Sequence, residues 1–194
     1  AKVEAFVAVG GGSSIDATKA VNVLMTNPGP IGQYGGIGLV KNAVLPLIAI
    51  PTTAGTSSEI TNVSALTDTV KVVKYVVIDD KLVPSHVICD PEFTRTVPSF
   101  VTAATGMDAI THAVECYISN CATPLSKYHA VQALKVFYDA LPKAVADGNN
   151  MEARENMMLG CIIVGYSFLN ANLGLVHAIA HTLSARNHLS HGNA

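Results

Sequence analysis

The sequence predicts an α/β layer followed by an all-helical layer, joined near Pro98. Before this residue, short apolar runs end in glycine, proline or polar turns, and after it the patterns are helical only. The 194 residues are 49% hydrophobic and 13% charged, a composition typical of a folded core and not of disorder. We therefore predict two parts, residues 1–97 and 98–194.

The first predicted unit is a strand, a glycine turn and a helix. Ala5–Val9 is a short apolar run that stops at Gly10–Gly12, as a buried parallel strand does. A helical pattern then runs to Met25, and we predict Ser13 as its N-cap, with Asp16 completing a capping box. Free N–H groups at such a turn can bind a phosphate, although the same turn is often a purely structural device.

Three more strands are predicted before the join: Leu45–Ile50, Val72–Ile78 and His86–Cys89. The first runs into a loop, residues 52–58, that is rich in Thr and Ser. Ligands of open α/β sheets bind at the carboxyl ends of the strands. These hydroxyls can therefore bind a pyrophosphate or a ribose, or they can belong to an ordinary surface loop.

Four helices are predicted after the join: Phe100–Ser119, Pro124–Ala146, Met151–Asn170 and Gly174–Ala185. No apolar span reaches membrane length, and a net charge of −2 without any basic run gives no sign of a nucleic-acid surface. We therefore expect neither a membrane nor a nucleic-acid partner. The four cysteines are scattered, which predicts reduced thiols in a cytoplasmic protein.

The last predicted helix and the residues after it carry four histidines: His177, His181, His188 and His191. Imidazoles in an apolar background are costly unless each has a partner. Asp108 and His112 are spaced i,i+4 on an earlier predicted helix, so they face the same way. One carboxylate and two or three imidazoles can bind Fe(II), Zn or Mn. For Asp108 and His112 alone, a buried hydrogen bond is the alternative.

Four motifs in order give the chain a family resemblance. They are GGGSSIDATKA, PTTAGTSSEIT, ATGMDAITHAVECYIS and GLVHAIAHTL, the last followed by a His-Gly ten residues after its second histidine. Together they span essentially the whole chain, which resembles the iron-containing (group III) alcohol dehydrogenases. The resemblance implies a dehydroquinate synthase-like architecture, with a dinucleotide-binding α/β domain (1–97), a helical metal-binding domain (98–194) and the metal in the cleft between them.

The resemblance also implies roles for individual residues. The implied metal ligands are Asp108, His112, His177 and His191. His181 would lie near the nicotinamide and the reacting carbon, where it could relay a proton. The implied cofactor-binding residues are Gly11, Gly12, Ser13, Thr52, Thr53 and Lys74, with Lys71 as an alternative to Lys74. His188 falls outside the motif and is expected at the surface or behind the ligands.

The implied reaction is hydride transfer between NAD or NADP and a small alcohol or aldehyde, assisted by Fe(II) or, as the alternative, Zn. Apolar residues expected to line the cleft are Ile110, Phe168, Leu173 and Val176. We expect a homo-oligomer. Family members are nearly twice as long, so we expect this chain to be a fragment truncated at both ends. A glycerol-dehydrogenase-like or dehydroquinate-synthase-like enzyme of the same fold, usually with zinc, and an inactive metal-binding fragment are the alternatives.

Overall fold

The computed structural model describes residues 2–187 and 189–194, so the prediction for His188 lies outside the described residues. The strands are β1 (Phe6–Gly10), β2 (Gly36–Ile37), β3 (Leu47–Pro51), β4 (Val63–Asp68), β5 (Val73–Ile78) and β6 (His86–Val87). The α-helices are α1 (Gly12–Thr26), α2 (Ser99–Ile118), α3 (Pro124–Ala146), α4 (Met151–Ala171) and α5 (Leu175–Asn187). Strands with one helix come first and four helices follow, which confirms the predicted fold class.

The strands form two three-stranded sheets. In the first sheet, of order β1-β3-β6, all strands are parallel, and Phe6 pairs with Leu47. In the second, of order β2-β5-β4, β5 runs antiparallel to β4, and Val63 pairs with Ile78. β4 was not predicted, because polar residues break its apolar alternation. Ser64 is fully buried, and burial of this polar side chain is tolerated because its hydroxyl donates a hydrogen bond to a backbone carbonyl of α1.

Helix α1 begins at Gly12, and no side chain caps its N-terminus. The predicted capping box of Ser13 and Asp16 is therefore wrong. The Asp16 carboxylate instead accepts hydrogen bonds from the Ser58 hydroxyl at 2.5 Å and from the Ala65 N–H at 3.1 Å. These bonds fasten the first helix to the loop after β3 and to β4, which fixes the glycine turn relative to the second sheet.

A buried lysine makes a second connection between α1 and the approach to β4. Lys19 is 1% exposed, and its ammonium donates hydrogen bonds to the carbonyls of Thr61 at 2.7 Å and Val63 at 2.8 Å. A buried charge is tolerated only where hydrogen bonds replace its hydration. The polar contacts of Asp16 and Lys19 thus set the position of α1 beside the second sheet.

The helical layer packs α2, α3 and α4 around a core that includes Ala109, Phe137 and Met157. Two glycines permit this close packing. A Cβ atom at Gly160 would lie 2.3 Å from the Phe137 ring, and one at Gly106 would lie 2.2 Å from the Leu141 side chain. Since both contacts are shorter than carbon atoms tolerate, glycine is required for α2 and α4 to lie against α3.

None of the helices in the described ranges is by itself both long and apolar enough to cross a membrane. The pair α4 and α5 meets that test of length and composition only when the two are taken together, and they are bent by 106° at the break between them.

Candidate metal and cofactor site

Helix α2, helix α5 and a short 3₁₀ turn, His191–Asn193, converge on the carboxylate of Asp108. Asp108 Oδ1 lies 3.3 Å from His177 Nε2 and 3.6 Å from the Nε2 atoms of both His112 and His191. Asp108, His112 and His177 are buried, and His191 is partly buried. The structure therefore brings together the four residues that the sequence singled out.

Several imidazole nitrogens in this cluster have no hydrogen-bond partner in the described part of the chain. These buried atoms are His112 Nδ1, His177 Nε2 and His191 Nδ1. Ligand atoms of Asp108, His177 and His191 all lie within 4.8 Å of one another, and the His112 ring stacks on His177 at 4.6 Å. An unpaired buried nitrogen such as His177 Nε2 is costly, and a divalent transition metal satisfies the mixed O/N donor set that Asp108 forms with the three Nε2 atoms around it. The residues present fit such an ion.

The charges in the cluster also suit a cation. Burial opposes ionisation of Asp108, but the surrounding histidines outweigh it and hold the pKa of the carboxyl at about 2. Burial lowers the pKa of His112 to about 4 and also lowers the pKa of His191. Burial acts in the same direction on His177, but its contacts with the Asp108 and Glu115 carboxylates raise its pKa overall. Metal binding needs an ionised carboxylate and neutral imidazoles. The pKa shifts favour these states for Asp108, His112 and His191, whereas the shift of His177 favours its charged form.

Glu115 is a part of the site that sequence reasoning missed. Its Oε2 lies 2.5 Å from His177 Nδ1, and its Oε1 accepts a hydrogen bond of 2.8 Å from the Val176 N–H. Glu115 is 3% exposed and follows Asp108 and His112 at the spacing i, i+4, i+7 on α2. That spacing places all three on one helix face and is the signal that would have indicated it.

Gly192, the residue after His191, explains how the His191–Asn193 turn can lie against α2. A Cβ atom at Gly192 would lie 2.0 Å from the carbonyl oxygen of Ala104, well inside contact distance. Only glycine lets the His191–Asn193 turn lie directly against α2, so the His-Gly pair in the sequence has a steric reason. This contact brings the His191 ring to Asp108.

His181 lies beside the cluster on α5. Its ring centroid is 6.2 Å from that of His177 and 4.9 Å from that of His191. His181 makes no ion-pair contact with Asp108 in the described residues, unlike the other three histidines. Burial, followed by the charge of His191, lowers the pKa of His181 to about 4, so the ring is neutral at neutral pH.

A cleft of about 690 Å³ runs from this cluster to the N-terminus of α1. Of the predicted cofactor residues, Gly12, Ser13 and Lys74 line it. The other three lie outside the lining: Gly11, Thr52 and Thr53. The Thr52 N–H donates to the Gly10 carbonyl at 3.0 Å, and Thr53 Oγ1 lies 3.2 Å from where a Gly11 Cβ would be. Thr52 and Thr53 therefore lie behind the glycine turn, of which Gly11 is a part.

The two lysines considered for the ribose lie in different surroundings. Lys74 lines the cleft from β5, and burial lowers its pKa while Asp108 and Asp16 act against this. Lys71 lies in the turn between β4 and β5, where its exposed ammonium is 3.8 Å from Asp68. The geometry therefore favours Lys74 as the residue available to a ligand in the cleft.

The apolar wall of the cleft differs in part from the predicted one. Phe168 and Leu173 line it, and the Phe168 ring lies 5.3 Å from that of His112. The other two predictions are wrong, because Ile110 packs against the helical core and Val176 is exposed outside the cleft. On a helix, neighbours of a site residue in sequence point away from it, which is why these two were misassigned.

Comparison with known proteins identifies the family. Residues 1–91 match the family model for iron-containing alcohol dehydrogenase, and residues 102–194 match the C-terminal model of the Fe-containing alcohol dehydrogenase family. The NAD-dependent methanol dehydrogenase of Bacillus methanolicus is 45% identical over 189 residues, which are 97% of this chain and 50% of that protein.

Solved structures of related proteins lead to the same family. The 1,3-propanediol oxidoreductase structure has a TM-score of 0.93 at 44% identity, and it covers 97% of this chain and 50% of its own. Sulfoacetaldehyde reductase from Bifidobacterium kashiwanohense in complex with NAD+ has a TM-score of 0.88 at 39% identity, with the same coverage. The chain thus spans about half the length of the relatives it matches. It belongs to the iron-containing alcohol dehydrogenase family.

Proposed function

We propose that the protein transfers a hydride between NAD and a small alcohol or aldehyde with the help of a divalent metal ion. One observation carries the proposal: the Nε2 atoms of three histidines surround Asp108 Oδ1 within 3.6 Å, in a cleft that continues to the glycine turn of α1. The names of the relatives refer to methanol, 1,3-propanediol and sulfoacetaldehyde, which supports a small substrate. We propose Fe(II) as the metal because of the family description, with Zn as the alternative.

We propose Asp108, His112, His177 and His191 as the metal ligands. The short distances from the three Nε2 atoms to Asp108 Oδ1 support this set, and His177 Nε2 also lacks a hydrogen-bond partner among the described residues. When bound, the metal supplies a Lewis acid for the substrate oxygen, and the nicotinamide supplies the site of hydride transfer. The ionised Asp108 provides the negative charge that keeps a cation in a buried site.

We propose that the N-terminus of α1 binds the dinucleotide. The N–H groups of Gly11, Gly12 and Ser13 would hold the pyrophosphate, where the helix dipole favours negative charge. Thr52 and Thr53 would lie along the phosphate and nicotinamide-ribose side, and Lys74 would reach the ribose. We choose NAD over NADP because one relative is named NAD-dependent and another was solved with NAD+.

We propose that His181 relays a proton between the substrate oxygen and solvent. A neutral ring in the cleft, next to the proposed ligands but without a contact to Asp108, can accept and return a proton. Phe168 and Leu173 would exclude water and bulky substituents from the reacting carbon.

The wider predictions accompany this proposal. We keep the division into an α/β part, residues 1–97, and a helical part, residues 98–194, as a proposal. We also propose a cytoplasmic location, because all four cysteines, each within the described ranges, are free thiols. A homo-oligomer remains a prediction.

An assay with oxygen excluded tests the proposed function. Protein loaded with Fe(II) or with Zn is given a panel of alcohols that includes glycerol, with NAD or NADP, and NADH or NADPH formation is followed. Turnover of short alcohols with NAD supports the proposal. Turnover of glycerol alone would indicate the glycerol-dehydrogenase-like alternative. Bound metal without any net nicotinamide turnover would leave the dehydroquinate-synthase-like enzyme and the inactive metal-binding fragment.

A further inference from the structure

The carboxylate of Glu115 makes contacts on two sides. Oε2 contacts His177 Nδ1, while Oε1 accepts a hydrogen bond from the backbone N–H of Val176, in the first turn of α5. The side chain is 4% exposed, and it lies behind His177 on the side opposite the metal cluster, because the other ring nitrogen, Nε2, faces Asp108.

We propose that Glu115 is a positioning residue, which holds the His177 ring so that Nε2 points into the metal site. This inference rests on the proposed function, since it concerns how a proposed ligand is aimed at the metal. A proton on Nδ1, shared with the carboxylate, leaves the lone pair on Nε2. Carboxylates that accept from the second nitrogen of a metal-binding histidine fix its tautomer and orientation in this way.

The same carboxylate also fixes the start of α5. The first N–H groups of a helix have no partner within the helix, and Glu115 Oε1 accepts one of them, from Val176. A single side chain on α2 therefore sets both the position of the helix that carries His177 and the direction of its ring. The backbone next to it is fitted to the carboxylate: a Cβ atom at Gly174 would lie 2.9 Å from Glu115 Oε1.

Two variants separate the position of the carboxylate from its charge. Glu115→Gln keeps the size of the side chain but removes the charge and leaves a single acceptor oxygen, which cannot serve both His177 Nδ1–H and the Val176 N–H. Gly174→Ala keeps the charge and displaces the carboxylate through the added methyl group. Glu155→Gln is the matched control, because Glu155 is an exposed glutamate on α4 and the change in charge is the same.

The measurement is metal retention by the loaded protein. Parent and variants are loaded with Zn or Co(II), and a chelator is added until half of the metal is released. We expect Glu115→Gln to weaken binding by about 10- to 100-fold, the effect typical of such carboxylates, and Gly174→Ala to weaken it in the same direction. Both should shift the visible absorption of the Co(II) form, which reports ligand geometry, whereas Glu155→Gln should match the parent in both measurements.

The outcomes distinguish this inference from the proposed function. If the parent binds no metal, the proposed function fails and the inference falls with it. If the parent binds metal and both site variants hold it as tightly, with unchanged Co(II) spectra, the metal proposal stands and the role of Glu115 is overturned. Should Glu115→Gln fail to fold, Gly174→Ala alone decides between these results.

Discussion

His177 and His181 are one helical turn apart on α5, yet only His177 of this pair contacts Asp108 within the described residues. The two rings meet edge to face, with 6.2 Å between their centroids. His177 Nε2 lies 3.3 Å from Asp108 Oδ1, whereas His181 lies in the cleft beside the cluster. This difference separates a proposed ligand from a proposed proton relay and gives two contrasting predictions.

Replacing His177 with alanine should remove the metal. The variant loses an imidazole nitrogen directed at Asp108. We expect metal affinity to fall by at least about 100-fold, because about 100-fold is the largest effect typical of losing a residue that only supports a ligand. It also leaves the buried Glu115 carboxylate without its imidazole partner, which should lower the free energy of unfolding by about 1–3 kcal/mol. Elemental analysis of the purified variant checks the first effect and urea denaturation the second. Full metal occupancy in His177→Ala would refute the ligand assignment.

Replacing His181 with alanine should leave the metal bound but slow the reaction. Loss of a positioned acid–base group typically lowers a rate by about 10²- to 10⁴-fold. We expect metal content equal to that of the parent and a fall in kcat of that order, measured with saturating alcohol and NAD. A His181→Ala protein that is purified without metal would show that ligand and relay have been confused.

Replacing Gly12 with alanine should disturb the dinucleotide end of the cleft. A Cβ atom there would lie 2.6 Å from the side chain of Thr56, so the loop after β3 must move. We expect the free energy of unfolding to fall by about 1–3 kcal/mol, as for overpacked sites, and NAD binding to weaken. Calorimetric titration with NAD measures the second effect.

Two further variants control this prediction. Gly12→Ala combined with Thr56→Gly removes the crowding atoms, including the Thr56 Cβ at 2.9 Å, and should recover NAD binding, whereas Gly32→Ala, where a Cβ would meet no atom within 4 Å, should match the parent. Undiminished NAD affinity in Gly12→Ala would argue against a pyrophosphate site at this turn.

Glu59 should make stability depend on pH. Burial raises the pKa of this carboxyl from 4.5 to about 7, with Lys19 acting against the rise. The folded state therefore holds more protons than the unfolded state between pH 4.5 and 7, so the free energy of unfolding falls as the pH rises through this window. Raising this pKa from 4.5 to about 7 corresponds to a loss of about 3 kcal/mol across the window.

The variant Glu59→Gln cannot ionise and should escape this loss. Urea denaturation of parent and variant in the presence of a chelator, at several pH values, gives the difference directly. We expect the variant to gain stability relative to the parent as the pH rises from 4.5 to 7, while the exposed-site control Glu155→Gln follows the parent. Parallel curves for Glu59→Gln and the parent would contradict the prediction.

The sequence was informative where a pattern had a single structural consequence. Glycines at the end of an apolar run predicted the turn before α1, and the i,i+4 pair of Asp108 and His112 predicted a shared helix face. The residues alone suggested a metal set of this pair with one or two later imidazoles, but choosing His177 and His191 among the four histidines required the family resemblance, because residues on different elements carry no spacing signal. The structure then brought all four together.

Three of the failures have a common physical cause, namely polar groups with tertiary partners. Ser64 interrupts the apolar alternation of β4, and its hydroxyl bonds to α1. Asp16 has the spacing expected of a capping box, but its carboxylate accepts hydrogen bonds from Ser58 and Ala65. Glu115 had the correct helical spacing, but its partner His177 lies 62 residues further along the chain. Local patterns cannot reveal such long-range hydrogen bonds.

The central claim is metal-dependent hydride transfer in the cleft between Asp108 and the N-terminus of α1. Its most direct test is mass spectrometry of the nicotinamide product after Fe(II)-loaded protein has reacted with NAD and ethanol deuterated at its carbinol carbon. We expect the metal-loaded parent to form NADH that carries one deuterium. This product should not form after chelation of the metal or with the variant Asp108→Asn. Protein that binds both metal and NAD yet produces no deuterated NADH from ethanol or any other short alcohol would contradict it.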